Sequence, residues 1–134
     1  MQVFGNSLTG YYKTGSPALG ATDPDHDWFH YFSEYVKNIN PNATVNRHTV
    51  APWEQNATGR DVQFDQLFKP YLSQDTDLVV LQVGDNVNRE DSHSTFKNDV
   101  MDLFKRVKEV SPKAKIYFVG IWFCNWPDMI DSVK

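Results

Sequence analysis

The amino-acid sequence predicts an α/β fold in which a parallel sheet lies between two layers of helices. Short β-rich runs alternate along the chain with longer stretches whose apolar residues recur at helical spacing. Residues 78–81 are apolar at every position, as is typical of a strand buried on both faces. Strands that alternate with helices imply parallel pairing with right-handed crossovers. The 134 residues match the length of one domain, so residues 1–134 are assigned to a single domain.

The predicted elements follow in the order β-α-β-α-β-α-β, with a last helix beginning near residue 127. Strands are expected at residues 2–5, 43–50, 77–84 and 114–123, and helices at residues 25–38, 64–72 and 96–110. In a flavodoxin-like strand order of 2-1-3-4, the first and third strands are neighbours. We expect this three-layer α/β/α pattern to stop before a fifth strand.

Composition excludes several classes of function. A hydrophobic content of 40% argues against a disordered chain, and a net charge of -4 argues against binding to nucleic acid. Cys124 is the only cysteine, so no internal disulfide and no thiolate-rich metal site can form. No apolar run reaches the roughly 18 residues of a membrane span, and we expect neither membrane association nor a signal peptide. The sequence does not indicate a compartment.

An acidic cluster near residue 25 is predicted to cap a helix. Asp23, Asp25, His26 and Asp27 are close in sequence, and adjacent residues rarely converge on one ion. Acidic side chains at a helix start accept hydrogen bonds from its free amides and match its dipole. We therefore expect no metal and no cofactor.

Two strand ends carry the candidate catalytic residues. Ser7 follows Gly5 at the end of the first strand, and Asn86 follows Gly84 at the end of the third. Open α/β sheets bind ligands at the carboxyl ends of their strands, and neighbouring strands would bring these two residues together. A serine hydroxyl can act as a nucleophile, and a carboxamide N–H can hold an oxyanion. Each residue alone would also be typical of a turn or a cap.

The two segments resemble the motifs of one hydrolase family. Residues 5–9 (Gly-Asn-Ser-Leu-Thr) are similar to the first motif of the SGNH/GDSL hydrolases, and residues 84–86 (Gly-Asp-Asn) to their Gly-x-Asn motif. The resemblance implies that Ser7 is the nucleophile and that its N–H and the Asn86 side chain form an oxyanion hole. It also implies hydrolysis of an ester, such as a sugar acetyl group or a short acyl chain.

Other residues of the implied site follow from the same resemblance. Asn6 stands where the commoner form of the family has aspartate, and Gly84 supports the second motif. The family's second motif usually supplies a glycine amide to the oxyanion hole. Residues 51–54 (Ala-Pro-Trp-Glu) fall at that place and form a candidate active-site loop, in which the Ala51 amide would substitute. Gly59 is a weaker candidate.

The chain lacks the family's Asp-x-x-His motif, which carries the general base. No histidine follows His93, which comes after the Asn86 loop and is a candidate substitute base, as is His48 near the end of the second strand. His26 and His30 are predicted to be surface or capping residues. We expect the base to be missing from this chain or supplied by another chain.

Aromatic residues suggest both a substrate site and an alternative function. Tyr11, Tyr12 and Trp53 are candidate substrate-binding residues, although they could equally cover the core. Together with Trp122 they could instead hold a carbohydrate in a catalytically silent domain. An uncovered last strand could also pair with a second copy or with a complementing chain.

Overall fold

The computed structural model describes residues 1–10, 17–87 and 90–122, with the backbone alone for residues 90–93. Four parallel strands form one sheet in the order β2-β1-β3-β4: β1 Gln2–Gly5, β2 Asn46–Thr49, β3 Leu78–Gln82 and β4 Lys115–Phe118. The helices are α1 Trp28–Ile39, α2 Ala51–Gln55, α3 Arg60–Leu67 and α4 Glu90–Val110. Short 3-10 turns lie at Pro24–His26, Ala57–Gly59 and Lys69–Tyr71. The predicted flavodoxin-like α/β fold and its strand order are confirmed.

The register brings three strand ends to one level. Gly5, the last residue of β1, pairs with Thr49 of β2 on one side and with Gln82 of β3 on the other. The chain after each of these strands therefore emerges at the same edge of the sheet. This edge is where ligands bind in open parallel sheets.

One face of the sheet carries most of the core. Phe4, Val79 and Leu81 are fully buried there and pack with aromatic and aliphatic residues of α3 and α4. The buried helix residues include Phe64, Phe68, Phe96, Val100, Leu103 and Val107. These residues are the helical stripes that the sequence predicts, and their burial removes a large apolar area from water.

The opposite face is covered less completely. The apolar residues of α1 are only half-buried (Trp28, Phe29, Phe32 and Val36) or exposed, as is Tyr35 at 65%. An apolar groove of about 410 Å³ remains between α1 and the sheet. The groove is lined by Leu8, Trp28, Phe32, Leu78, Val80, Gln82, Tyr117, Val119 and Trp122.

Several element boundaries differ from the prediction. Residues 51–54 form the start of α2 instead of a loop, and Pro52 suits this position because its fixed φ matches the first turn of a helix. β4 ends at Phe118, well before residue 123, because its partner β3 ends at Gln82 and leaves no further strand to pair with. The predicted last helix near residue 127 lies outside the described residues.

None of the helices in residues 17–87 and 90–122 combines the length and the apolar character needed to cross a bilayer.

Candidate functional site

A tight turn after β1 presents Ser7. The N–H groups of Thr9 and Gly10 donate to the Asn6 carbonyl at 2.9 and 3.0 Å, so the chain reverses within four residues. Gly5 is required because a Cβ there would lie 2.6 Å from Cβ of Thr9 and 3.1 Å from the Gln82 carbonyl oxygen. The buried Thr9 hydroxyl donates to Oε1 of Gln82 at 3.1 Å and ties this turn to β3.

Ser7 is half-buried at the tip of this turn. Its carbonyl accepts a hydrogen bond from the Leu19 N–H at 2.7 Å. The next carbonyl, of Leu8, accepts one from Nε1 of Trp28 at 2.6 Å. Both bonds fix the main chain directly after the Ser7 N–H, the group that an oxyanion hole would use.

The segment between Gly10 and Pro17 is held at both of its ends. The Thr49 hydroxyl donates to the Gly10 carbonyl at 3.1 Å, and Arg47 donates to the Thr9 carbonyl at 3.2 Å. On the far side, the Ala18 N–H donates at 3.1 Å to Asp27, which is also ion-paired with Arg47. The residues before and after this segment are therefore held by one group of side chains, those of Arg47, Thr49 and Asp27.

A second turn, after β3, presents Asn86. Gly84 has φ +129°, a backbone conformation that residues with a Cβ rarely adopt. A Cβ there would also lie 2.6 Å from Cγ1 of Ile121 and 3.1 Å from Cζ of Phe96. The Val87 N–H closes the turn on the Gly84 carbonyl at 3.2 Å. Glycine at this position allows the chain to leave the sheet and expose the half-buried Asn86.

Glu54 of α2 joins the two turns. Its side chain is fully buried, and Oε1 accepts hydrogen bonds from Nδ2 of Asn6 at 3.2 Å and from the Gly84 N–H. Oε2 accepts one from Nδ2 of Asn86 at 2.6 Å. The residue before Ser7 and the side chain of Asn86 thus bind the same carboxylate, and all three strand ends meet there.

The charge of Glu54 is held in a low-dielectric environment. Burial raises the pKa of its carboxyl group above 4.5, and the nearby charge of Asp85 raises it further. The hydrogen bonds from Asn86, Gly84 and Asn6 act in the opposite direction because they favour the ionised form. All three donors are N–H groups, so the arrangement suits an acceptor-only carboxylate.

Arg60 supports the main chain that carries Glu54. Its guanidinium donates to the carbonyls of Trp53 at 3.0 Å and Glu54 at 3.3 Å, and it is ion-paired with Asp99 of α4. It also lies 4.8 Å from the centre of the Trp53 ring. These contacts fasten α2 to α4 beneath the candidate site.

Trp53, a predicted substrate-binding residue, lies in the core, and this position does not favour that role. It is 2% exposed, and its ring packs against Phe68 and Phe96 at centroid distances of 6.1 and 6.5 Å. Helical spacing in α2 turns it into the core. Ala51, the candidate oxyanion donor, is the first residue of α2 and is also buried. Gly59 ends a 3-10 turn and its amide donates to Asn56, not toward Ser7.

His48 occupies a structural position. Its Nε2 lies 2.8 Å from Oε1 of Gln2, at the start of β1, so the ring is directed toward the end of the sheet opposite Ser7. It stacks on Tyr71 at 3.8 Å and lies 5.0 Å from the Phe4 ring. Burial lowers the pKa of His48 to about 4, which keeps the ring neutral. This geometry does not suit a base for Ser7.

The other histidines are distributed around the fold. His26 is exposed and its Nδ1 lies 2.7 Å from Asp23, while His30 lies on α1 with its ring 5.5 Å from that of Tyr31. Neither imidazole hydrogen-bonds Ser7. His93 belongs to α4, and its side chain lies outside the described part of the structure. Tyr11 and Tyr12 also lie outside the described residues.

Trp122 connects the groove to the second turn. The residue is 57% exposed and lines the apolar groove, and its main-chain N–H donates to Oδ1 of Asp85 at 2.7 Å. The other oxygen of Asp85 accepts from Nε2 of Gln82 at 2.6 Å. Leu8 lines the same groove, so the groove reaches the residue that follows Ser7.

The acidic cluster near residue 25 accepts hydrogen bonds from main-chain N–H groups. Asp27 caps α1 by accepting the His30 N–H at 2.8 Å, and Asp23 accepts the Asp25 N–H at 3.0 Å. Arg47 holds the pKa of Asp27 below its usual range, against the effect of burial. Across the described residues, no group of three or more His, Cys, Asp or Glu side chains is arranged to hold a metal ion.

Glu54 is the site residue that sequence reasoning missed. It lies in the segment that follows the second strand, where the third of the three converging strand ends was expected. That placement is the signal in the sequence that could have indicated Glu54.

No family model, curated protein or solved structure matched the chain.

Proposed function

We propose that this chain is an ester hydrolase of the SGNH/GDSL type, with Ser7 as nucleophile and Asn86 in the oxyanion hole. The observation that supports the proposal is the convergence on Glu54. Asn6 and Asn86 bind the same carboxylate, so the turn that carries Ser7 and the Asn86 side chain share one small region. An acetyl group or a short acyl chain is the proposed substrate group.

In the proposed reaction, Ser7 Oγ forms a bond to the ester carbonyl carbon and loses its proton to a base. The negative charge moves to the carbonyl oxygen, where the Ser7 N–H and an Asn86 N–H stabilise it. Collapse of this intermediate breaks the bond to the alcohol, which leaves with a proton. Water then attacks the acyl-enzyme, and the acid and free Ser7 are released.

The proposal assigns the proton acceptor to His93 or to a group from another chain. His26 and His48 are engaged by Asp23 and Gln2, and His30 lies on α1 beside Tyr31. A serine hydrolase that lacks its base retains only the catalysis provided by the oxyanion hole and by binding. The esterase rates with and without added imidazole therefore test whether this chain lacks its base.

Carbohydrate binding without catalysis receives less support. Trp53, one of the four aromatic residues on which that hypothesis depends, is buried. Trp122 is exposed but lines a groove whose walls are almost wholly apolar, whereas a sugar needs several hydrogen-bonding groups. The groove is better suited to an acyl or aromatic group than to a saccharide.

The test is covalent labelling with an organophosphonate, followed by peptide mass analysis. We expect one label per chain on Ser7, and none in Ser7→Ala. Turnover of p-nitrophenyl acetate should fall to background in Ser7→Ala, and by about 10²–10³-fold in kcat in Asn86→Ala, the usual loss for one oxyanion donor. Added imidazole should raise the wild-type rate more than the Ser7→Ala rate if the base is missing. An unlabelled Ser7 with turnover equal to that of Ser7→Ala would reject the proposal.

A further inference from the structure

We infer that Glu54 is a positioning residue that fixes the side-chain orientation of Asn86, so that its Nδ2 group and not its Oδ1 faces the reacting oxygen. The inference rests on the proposed function. Glu54 touches no substrate in this scheme, and its action is exerted through Asn86.

The hydrogen-bond donors around Glu54 leave its carboxylate little freedom to exchange partners. Oε1 accepts from the Gly84 main-chain N–H, which cannot be exchanged for an acceptor by rotation. The same oxygen accepts from Nδ2 of Asn6, whose Oδ1 is already bonded to the Leu8 N–H at 2.9 Å. Both partners of Oε1 are therefore fixed as donors.

Asn86 faces the second carboxylate oxygen. Its carboxamide could present either Nδ2 or Oδ1, but an ionised carboxylate only accepts hydrogen bonds. Nδ2 lies 2.6 Å from Oε2, as this requires. One N–H of Asn86 is used by Glu54, and the second N–H on the same nitrogen is left to donate elsewhere.

Glu54 itself cannot easily move away. Its side chain is fully buried, and Arg60 binds the carbonyls of Trp53 and Glu54 while paired with Asp99. The position of the carboxylate is therefore fixed, and it sets the orientation of the half-buried Asn86 side chain. A site held on both sides in this way is preorganised for the charge that develops in the transition state.

The Glu54→Gln variant tests the orientation of Asn86 separately from the packing of the side chain at position 54. Glutamine has nearly the same shape, but its oxygen must occupy the Oε1 position because both partners there are donors. Its NH₂ group then faces Asn86, which must turn its Oδ1 toward it. The hydrogen bonds are preserved in number, but the Nδ2 group of Asn86 is turned away from the reacting oxygen.

We expect Glu54→Gln to lower kcat for p-nitrophenyl acetate by about 10²–10³-fold with KM nearly unchanged, the loss typical of one oxyanion donor. The double variant Glu54→Gln/Asn86→Ala should be no slower than Asn86→Ala. Asp85→Asn is the charge control because it also removes one carboxylate at this turn, from a side chain bonded to Gln82 and Trp122. An equal loss in Asp85→Asn, or additive losses in the double variant, would overturn the inference.

A second readout does not depend on turnover. In ¹⁵N-labelled protein, the side-chain NH₂ signals of Asn86 are identified by their loss in Asn86→Ala. We expect both signals to shift in Glu54→Gln while the backbone spectrum away from the turns is retained. Unchanged Asn86 signals in a folded Glu54→Gln variant would contradict the inference. If wild type has no esterase activity but the signals shift, the proposed hydrolase function fails and the orientation of Asn86 by Glu54 stands.

Discussion

Replacement of Gly84 by alanine tests the geometry of the turn that presents Asn86. Two separate effects are expected. A φ of +129° strains a residue with a Cβ by about 1–3 kcal/mol. The new Cβ would also lie 2.6 Å from Cγ1 and 2.7 Å from Cδ1 of Ile121, and overpacking of this kind costs about 1–3 kcal/mol. Gly84→Ala should therefore lower the free energy of unfolding by about 2–6 kcal/mol.

The two effects can be separated by matched variants. Gly20 has φ +90°, and a Cβ there would meet no atom of the described residues within 4 Å, so Gly20→Ala measures backbone strain without overpacking. Ile121→Ala removes both atoms that would clash. In that background the further loss from Gly84→Ala should be smaller by about 1–3 kcal/mol, which is the overpacking contribution.

Urea unfolding followed by tryptophan fluorescence gives the free energies of unfolding of wild type and of the four variants. A stability of Gly84→Ala within about 0.5 kcal/mol of wild type, the usual range for a surface change, would refute the reasoning. An equal loss with and without the Ile121 side chain would refute the steric part. A loss no greater than that of Gly20→Ala would show that the turn adapts without cost from packing.

Two further predictions concern residues that were candidates for the site. Trp53→Ala should lower the free energy of unfolding by about 3–5 kcal/mol, because it empties a fully buried position, and circular dichroism melting would measure this; a loss below about 1 kcal/mol would contradict its assignment to the core. His48 binds a proton more weakly in the folded chain, since its pKa falls from 6.5 to about 4, so wild type should lose stability as pH falls through this window. The ring keeps part of its solvent contact, and screening reduces the expected loss to about 1–2 kcal/mol. His48→Phe keeps the stacking on Tyr71 without the titration, so its unfolding free energy should fall less between pH 7 and pH 4; identical pH profiles would refute the prediction.

The sequence predicts the strand ends around the site better than the buried side chains within it. Gly5 and Gly84 mark the strand ends because each is required by local geometry, a close approach in one case and a positive φ in the other. Such requirements can be recognised from the glycines in one amino-acid sequence. The apolar stripes that alternate with the strands likewise predict the order of elements and the face that carries the core.

The role of Glu54 could not be predicted in the same way. Its burial depends on three donors contributed by the segments after β1 and β3, far away in sequence. The burial of its neighbour Trp53 could not be predicted either, because aromatic residues serve both cores and binding sites, and only the helical turn of α2 decides which way the ring points. His48 lies near the end of β2, as the sequence predicts, but the direction of its ring depends on partners such as Gln2 and could not be predicted.

The anchoring of the chain at Gly10 and Ala18 has a consequence for how the protein could change. Arg47, Thr49 and Asp27 hold both ends of the intervening segment, and these contacts use backbone groups outside residues 11–16. These particular contacts therefore do not depend on which side chains residues 11–16 carry. If the chain is the proposed hydrolase, its substrate range could diversify by exchange of residues 11–16 while these contacts are retained.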